Sequence, residues 1–113
     1  MIEFKIIGNL GKDAVMNESE GKKIINFSVC HSESYNKRNS EGKETKQFWA
    51  DCAYNSESED LLKLLTKGTL VYATGKPDTK VHIKANGDPV AVQYLRVHKV
   101  EVLSKKRREE LGI

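Results

Sequence analysis

Short stretches in which apolar and polar residues alternate dominate this chain, the period expected of half-buried β-strands. Residues 2–10 set Phe4 and Ile6 on one face and are interrupted at Gly8. Gly8 and Gly11 flank Asn9-Leu10, which predicts a bulge or sharp bend of the kind a small barrel needs at a corner. Residues 17–22 read as a polar turn around Gly21. Residues 23–31 alternate cleanly, with Ile25, Phe27 and Val29 on one face and Asn26, Ser28 and Cys30 on the other. Residues 36–46 are polar throughout with Gly42 near the middle, and predict a long hairpin loop. Strand patterning resumes over 47–54. Phe48, Ala50, Cys52 and Tyr54 form the apolar set and should face a core, so Trp49 points the other way with Gln47 and Asp51.

One helix follows. Ser56 with Glu59 three residues later has the spacing of a capping box, and Leu61, Leu62, Leu64 and Leu65 supply an apolar stripe. Lys67-Gly68 closes it with a cation and a residue suited to the left-handed position after a helix. Val71 and Ala73 alternate against Tyr72 and Thr74 in a strand over 69–75. Gly75-Lys76-Pro77 begins a second excursion, in which Asn86-Gly87, a strong turn dipeptide, separates residues 79–84 from a long strand at 90–103. Five short strands around one helix cannot bury both faces as an open sheet. A closed barrel with the helix plugging one end can. The expected fold is all-β with one helix: a five-stranded OB-fold barrel, with long hairpins joining its second to third and fourth to fifth strands. The domain spans 1–103, and 104–113 is a charged tail, frayed or a short exposed helix.

A length of 113 residues suits one core and makes two improbable. The apolar runs are too short for a transmembrane helix, and Met1-Ile2-Glu3-Phe4-Lys5 lacks the layout of a signal peptide. Cytoplasmic residence and no membrane partner are therefore expected. Cys30 and Cys52 lack zinc-site spacing and read as free buried thiols of a reducing compartment. His31, His82 and His98 sit on separate strand-like segments without a carboxylate or thiol cluster beside them. With no phosphate-cradling glycine loop and no nucleophile elbow, neither catalysis, a metal nor a cofactor is expected.

The net charge of +3 permits a nucleic-acid partner without demanding one. Placement says more. Single strands expose base faces that aromatic side chains on a polar sheet can stack against, with cations holding phosphates. Trp49 has the outward parity for this. Tyr35 has the parity of Phe27 and Val29 but lies where its strand leaves the core. The first hairpin carries Lys37, Arg38, Lys43 and Lys46, and the second Lys76, Lys80 and Lys84, all candidate phosphate ligands.

Four segments carry a resemblance to the bacterial single-stranded DNA-binding protein family: Ile-Ile-Gly-Asn-Leu-Gly-Lys-Asp at 6–13, Phe-Ser-Val-Cys-His-Ser-Glu-Ser-Tyr at 27–35, Phe-Trp-Ala-Asp at 48–51 and Leu-Leu-Thr-Lys-Gly-Thr-Leu-Val-Tyr-Ala-Thr-Gly at 64–75. The resemblance covers residues 2–103. It implies an OB barrel that binds single-stranded DNA in replication, recombination and repair, associated with the nucleoid. It implies a homotetramer, with a dimer as the alternative, whose contacts include the first strand and residues around Ala50 and Tyr54. Tyr35 and Trp49 fall on stacking positions, and His82 lies near a third. Asn55 stands where the family often has an aromatic, and Asp51 where a base is common. No acidic tip follows Lys105-Lys106-Arg107-Arg108, so a tailless member that recruits no partners through such a tip is expected. The alternative is an OB-fold adaptor that docks protein in replication restart, like primosomal replication protein N.

Overall fold

The computed structural model describes residues 1–36 and 42–104, apart from the side chains of Tyr35, Asn36, Lys43 and Val90. The elements run β1 (Phe4–Leu10), β2 (Val15–Ser19), β3 (Lys22–Asn36), β4 (Lys43–Asn55), α1 (Glu59–Leu64), β5 (Leu70–Ile83) and β6 (Pro89–Ser104). Hydrogen-bonded neighbours follow the order β1-β5-β6-β4-β3-β2, and a further β1–β3 pairing joins the sheet to itself. Five strands thus close into the expected OB-fold barrel, with β2 attached outside along β3. Apolar alternation fills the interior. Ile6 and Leu10 of β1, Ile25, Phe27 and Val29 of β3, Ala50 and Cys52 of β4, Val71 and Ala73 of β5, and Leu95 and Val97 of β6 are all buried. Each large aliphatic side chain among them contributes about 1.5–3 kcal/mol of transfer free energy.

Closure depends on β1 serving two partners. It pairs with β5 from Phe4 to Asn9, then with β3 at Asn9 and Leu10. At the crossing, a Cβ on Gly8 would run into the backbone carbonyl of Cys30. The expected bend is therefore a close approach of two backbones. The adjoining segment ties the helix end to the barrel. Leu10 donates its N–H to Thr69 O at 3.0 Å and accepts from Gly68 N at 2.8 Å. Asn9 Nδ2 donates to Gly68 O at 3.0 Å, and Asp13 Oδ1 accepts from Lys67 N at 2.8 Å. Leu65, fully buried, plugs that end of the barrel.

Several boundaries differ from the sequence expectation. The helix is capped by Ser58, whose Oγ accepts from Leu61 N at 3.1 Å, and not by Ser56, which instead accepts from Ser58 N at 3.1 Å. The helix stops at Leu64, which is exposed; the last buried leucine lies just beyond it. Residues 15–19 are a strand, and only Glu20 and Gly21, with φ of 52° and 78°, make the turn. The first hairpin is paired out to Asn36 and Lys43, and β5 continues through Pro77 to Ile83. Both arms project past the core; the first is polar throughout and loses the alternation that marks a strand, whereas the second keeps it in Val81 and Ile83, both exposed. Pro77 is tolerated because β1 pairs with β5 only as far as Gly75, leaving an edge beyond. Phe48 has the expected core parity but stands at the barrel mouth, 37% exposed and stacked on Phe4 with centroids 5.9 Å apart. Cys52 is buried, whereas Cys30 is half-buried; both are free, and burial, then the Asp51 charge, pushes the Cys52 thiol up to about 12.

Gly8→Ala should force β1 off β3. The cost expected from overpacking, about 1–3 kcal/mol or more, corresponds to a melting temperature lowered by roughly 5–15 °C. Calorimetry showing an unchanged melting temperature would contradict the close approach.

Candidate nucleic-acid interface

The outward parity of the barrel strands builds one continuous face. On β3 it presents Asn26, Ser28 and Cys30. Their β4 partners on this face are Ala53, Asp51 and Trp49. On β6, Tyr94 and Arg96 align with Asp51 and Ala53. On β5, Lys76, Asp78, Lys80 and His82 are in register with Arg96, Tyr94, Val92 and Val90. Trp49 is 48% exposed, as its parity requires. The edge of its six-membered ring abuts Gly11, where an added Cβ would come within 2.6 Å of Cζ3 and 2.8 Å of Cη2. Gly11 thus leaves room for the indole edge beside Lys12 and Ser28. Asp51 accepts a hydrogen bond from Ser28 Oγ at 2.9 Å, which fixes one carboxylate oxygen between the two strands.

The other predicted residues divide between this face and elsewhere. Lys76, Lys80 and His82 are exposed on it, and Lys84 lies in the turn just beyond β5, its N–H donating to Asp88 O at 2.9 Å. Lys46 does not join them: it has the opposite parity to Trp49 and lines a separate groove. Tyr35 and Lys43 keep the β3–β4 ladder, opposite Glu44 and Asn36, but their side chains lie outside the described residues, as do Lys37 and Arg38 entirely. Sequence reasoning passed over Lys12, Tyr94 and Arg96. The signal was present for the last two, whose parity is opposite to that of buried Leu95 and Val97.

The separate groove, about 540 Å³, lies where β3 diverges from β1 and is lined by Phe4, Ile7, Phe48 and Tyr72 among others. His31 spans it. Its Nδ1 lies 2.9 Å from Ile7 O and its Nε2 3.1 Å from Glu33 Oε1. A neutral imidazole can donate to only one of these acceptors; the imidazolium donates to both. The Ile7 carbonyl first, and the Glu33 carboxylate second, hold the His31 pKa above the ordinary histidine value. Among the described residues, no group of three or more His, Cys, Asp or Glu could hold a metal ion.

Compared with known proteins, residues 1–103 match the single-strand binding protein family. The chain belongs to that family. It is 32% identical over 83 residues to the single-stranded DNA-binding protein of Neisseria meningitidis serogroup A, a match covering 73% of this chain and 48% of the relative. The protein of the same name from Rickettsia conorii is 32% identical over 78 residues, covering 66% and 51%. The chain thus spans about half the length of these curated relatives. Two solved structures share the fold. The small single-stranded DNA-binding protein of Streptomyces coelicolor has a TM-score of 0.75 at 13% identity, covering 89% of this chain and 93% of that one. A Plasmodium falciparum SSB complex with ssDNA has a TM-score of 0.67 at 24% identity, covering 89% and 91%.

Within this family member, the His31 bridge makes a pH-dependent clasp between β1 and β3. A raised folded-state pKa contributes stability that is fully present below the unfolded value, about 6.5, and is lost as pH rises through the higher folded value. The melting temperature should therefore fall as pH rises above about 6.5, and this component of the fall should be absent in His31→Gln. Identical pH profiles for the two proteins would rule the clasp out.

Proposed function

We propose that this chain binds single-stranded DNA with little sequence preference, through the outward face of the barrel. The observation that carries the reading is Trp49. A half-exposed indole sets its edge against a glycine, beside Lys12, on the same face as Lys76, Lys80 and Arg96. A base can stack on the indole while these cations hold phosphates on either side. Membership of the family and the resemblance to a structure determined with ssDNA support the same ligand. His82 is a weaker stacking position further along the face. Tyr35 and the hairpin residues Lys37, Arg38 and Lys43 extend the contact around the first arm. In this reading the protein coats single strands in replication, recombination and repair.

We further propose that the chain assembles as a homotetramer through the exposed part of β1. The residues expected there included Ala50, which is buried in the core and unavailable. The available apolar surface is the groove of Phe4, Ile7, Phe48 and Tyr72, with Ile7 46% and Phe48 37% exposed. A second copy laid on this groove covers that surface.

Addition of oligo-dT should quench the emission of Trp49, the chain's single Trp. Trp49→Ala should weaken binding roughly 5- to 150-fold, the effect of one lost base stack. The logarithm of affinity should fall against the logarithm of salt by about 0.7 per neutralised phosphate. Equal affinity for duplex DNA contradicts the proposal; no binding of single strands at physiological salt favours the protein-docking adaptor.

Light scattering should give four times the 12.8 kDa chain mass, and Ile7→Glu should shift it to smaller species. A monomer at micromolar concentration contradicts the assembly.

A further inference from the structure

We infer that Tyr94 is a second stacking platform, seating a nucleobase in the hollow it shares with β2, and that Lys80 covers its ring until that base arrives. This rests on the single-strand reading of the outward face. Tyr94 lies one strand across and two residues along from Trp49, roughly 8 Å by strand geometry. It lies level with Asp51 in the parallel β4–β6 pairing and therefore faces the same way. The hollow beside it holds about 480 Å³, within the range of small-ligand sites, and Asn17, Asn26, Ser28, Asp51 and Lys80 line it.

Three features separate this tyrosine from a merely structural one. First, it points away from the core that Leu95 and Val97 enter from the same strand. Second, its hydroxyl has no hydrogen-bond partner among the described residues. A phenol whose ring is half-buried and whose oxygen is unpaired is available to a ligand at both ends. Third, Lys80 Nζ sits over the ring, 4.0 Å from its centroid. That ring face is reachable, because a flexible ammonium already occupies it. At an exposed site such a cation–π contact is weak, and a stacked base is the stronger occupant. A base entering the hollow displaces the ammonium, which then lies beside the strand's own phosphates. The exchange costs one weak contact and gains a stack and a phosphate contact.

The hollow also orients the strand. The Asp51 carboxylate repels phosphates, whereas the amides of Asn17 and Asn26 offer donors and acceptors to a base edge. Bases therefore point inward toward β3 and β4, and the phosphates run on the side of Lys12 and Lys80.

The test compares wild type, Tyr94→Phe and Tyr94→Leu in oligo-dT titrations, with Trp49→Ala alongside and a thermal melt for each. Tyr94→Leu should weaken binding roughly 5- to 150-fold while retaining the Trp49 quench at saturation. Tyr94→Phe, which keeps the ring, should stay within about twofold of wild type, since every base stacks on any π face. Lys80→Gln should shallow the salt slope by about 0.7, one phosphate contact. Photocrosslinking wild type to 5-iodouracil-substituted oligo-dT should yield an adduct at Tyr94, a result that needs no folded variant. If Trp49→Ala weakens binding but Tyr94→Leu folds and binds as wild type, the platform at Tyr94 is refuted and the single-strand reading stands. Crosslinks confined to other residues refute it equally. If wild type binds no oligo-dT, both readings fall together.

Discussion

The barrel depends on one close approach, where β1 leaves β5 and crosses onto β3. Two backbones meet there with no room for a Cβ at Gly8 against the Cys30 carbonyl. Without that contact the strands would form an open sheet with β1 at one edge. Its inner residues, Ile6 and Leu10, would lose the far wall of the core. The crossing also anchors the helix end. Leu10, Asn9 and Asp13 bond the turn after the helix, so the same short motif that closes the barrel seats its plug, Leu65.

Closure sorts side chains by parity. A strand in a closed barrel has one face committed to the core and one free, and pairing carries that distinction from strand to strand. Cys30, Trp49, Asp51, Tyr94 and Lys80 come from four strands yet share a surface, because each is paired to its neighbours in a register that the core enforces. Gly11 adds a local condition. It lies just past the crossing in sequence, and its missing side chain leaves the space that the indole edge occupies. The stability of the barrel and the exposure of its tryptophan thus have a common origin in one glycine-bearing corner.

The arms obey a different rule. Beyond the barrel mouth there is no core to divide one parity from the other, and the strands persist on ladder hydrogen bonds and cross-strand pairs such as Glu33 with Lys46. This divergence opens the groove that His31 spans. Here a residue of core parity becomes a titratable clasp, and Phe4 and Phe48 stack with one side open. The molecule consequently has two surfaces of opposite character, a basic aromatic face and an apolar groove. They are separated by the thickness of one strand pair, and Lys46 belongs to the second although its hairpin borders the first.

Alternation alone determined the core strands, the outward aim of Trp49 and the turn at Asn86-Gly87, because each of these rests on residues close in sequence. Gly8 and Gly11 announced a corner for the same reason. Local sequence could not show what the corner met, since Cys30 and Trp49 are brought there only by strand pairing. The β2 strand and the outer half of the first hairpin left no apolar period, being polar on nearly every side. Only their ladders reveal them. Tyr94 was legible as an outward residue, but its value as a ligand platform came from Lys80, Asp51 and β2, three partners distant in the chain. Parity is a property of one strand and can be read from it. Which outward residues become neighbours is decided by the register of closure, and that exists only in three dimensions.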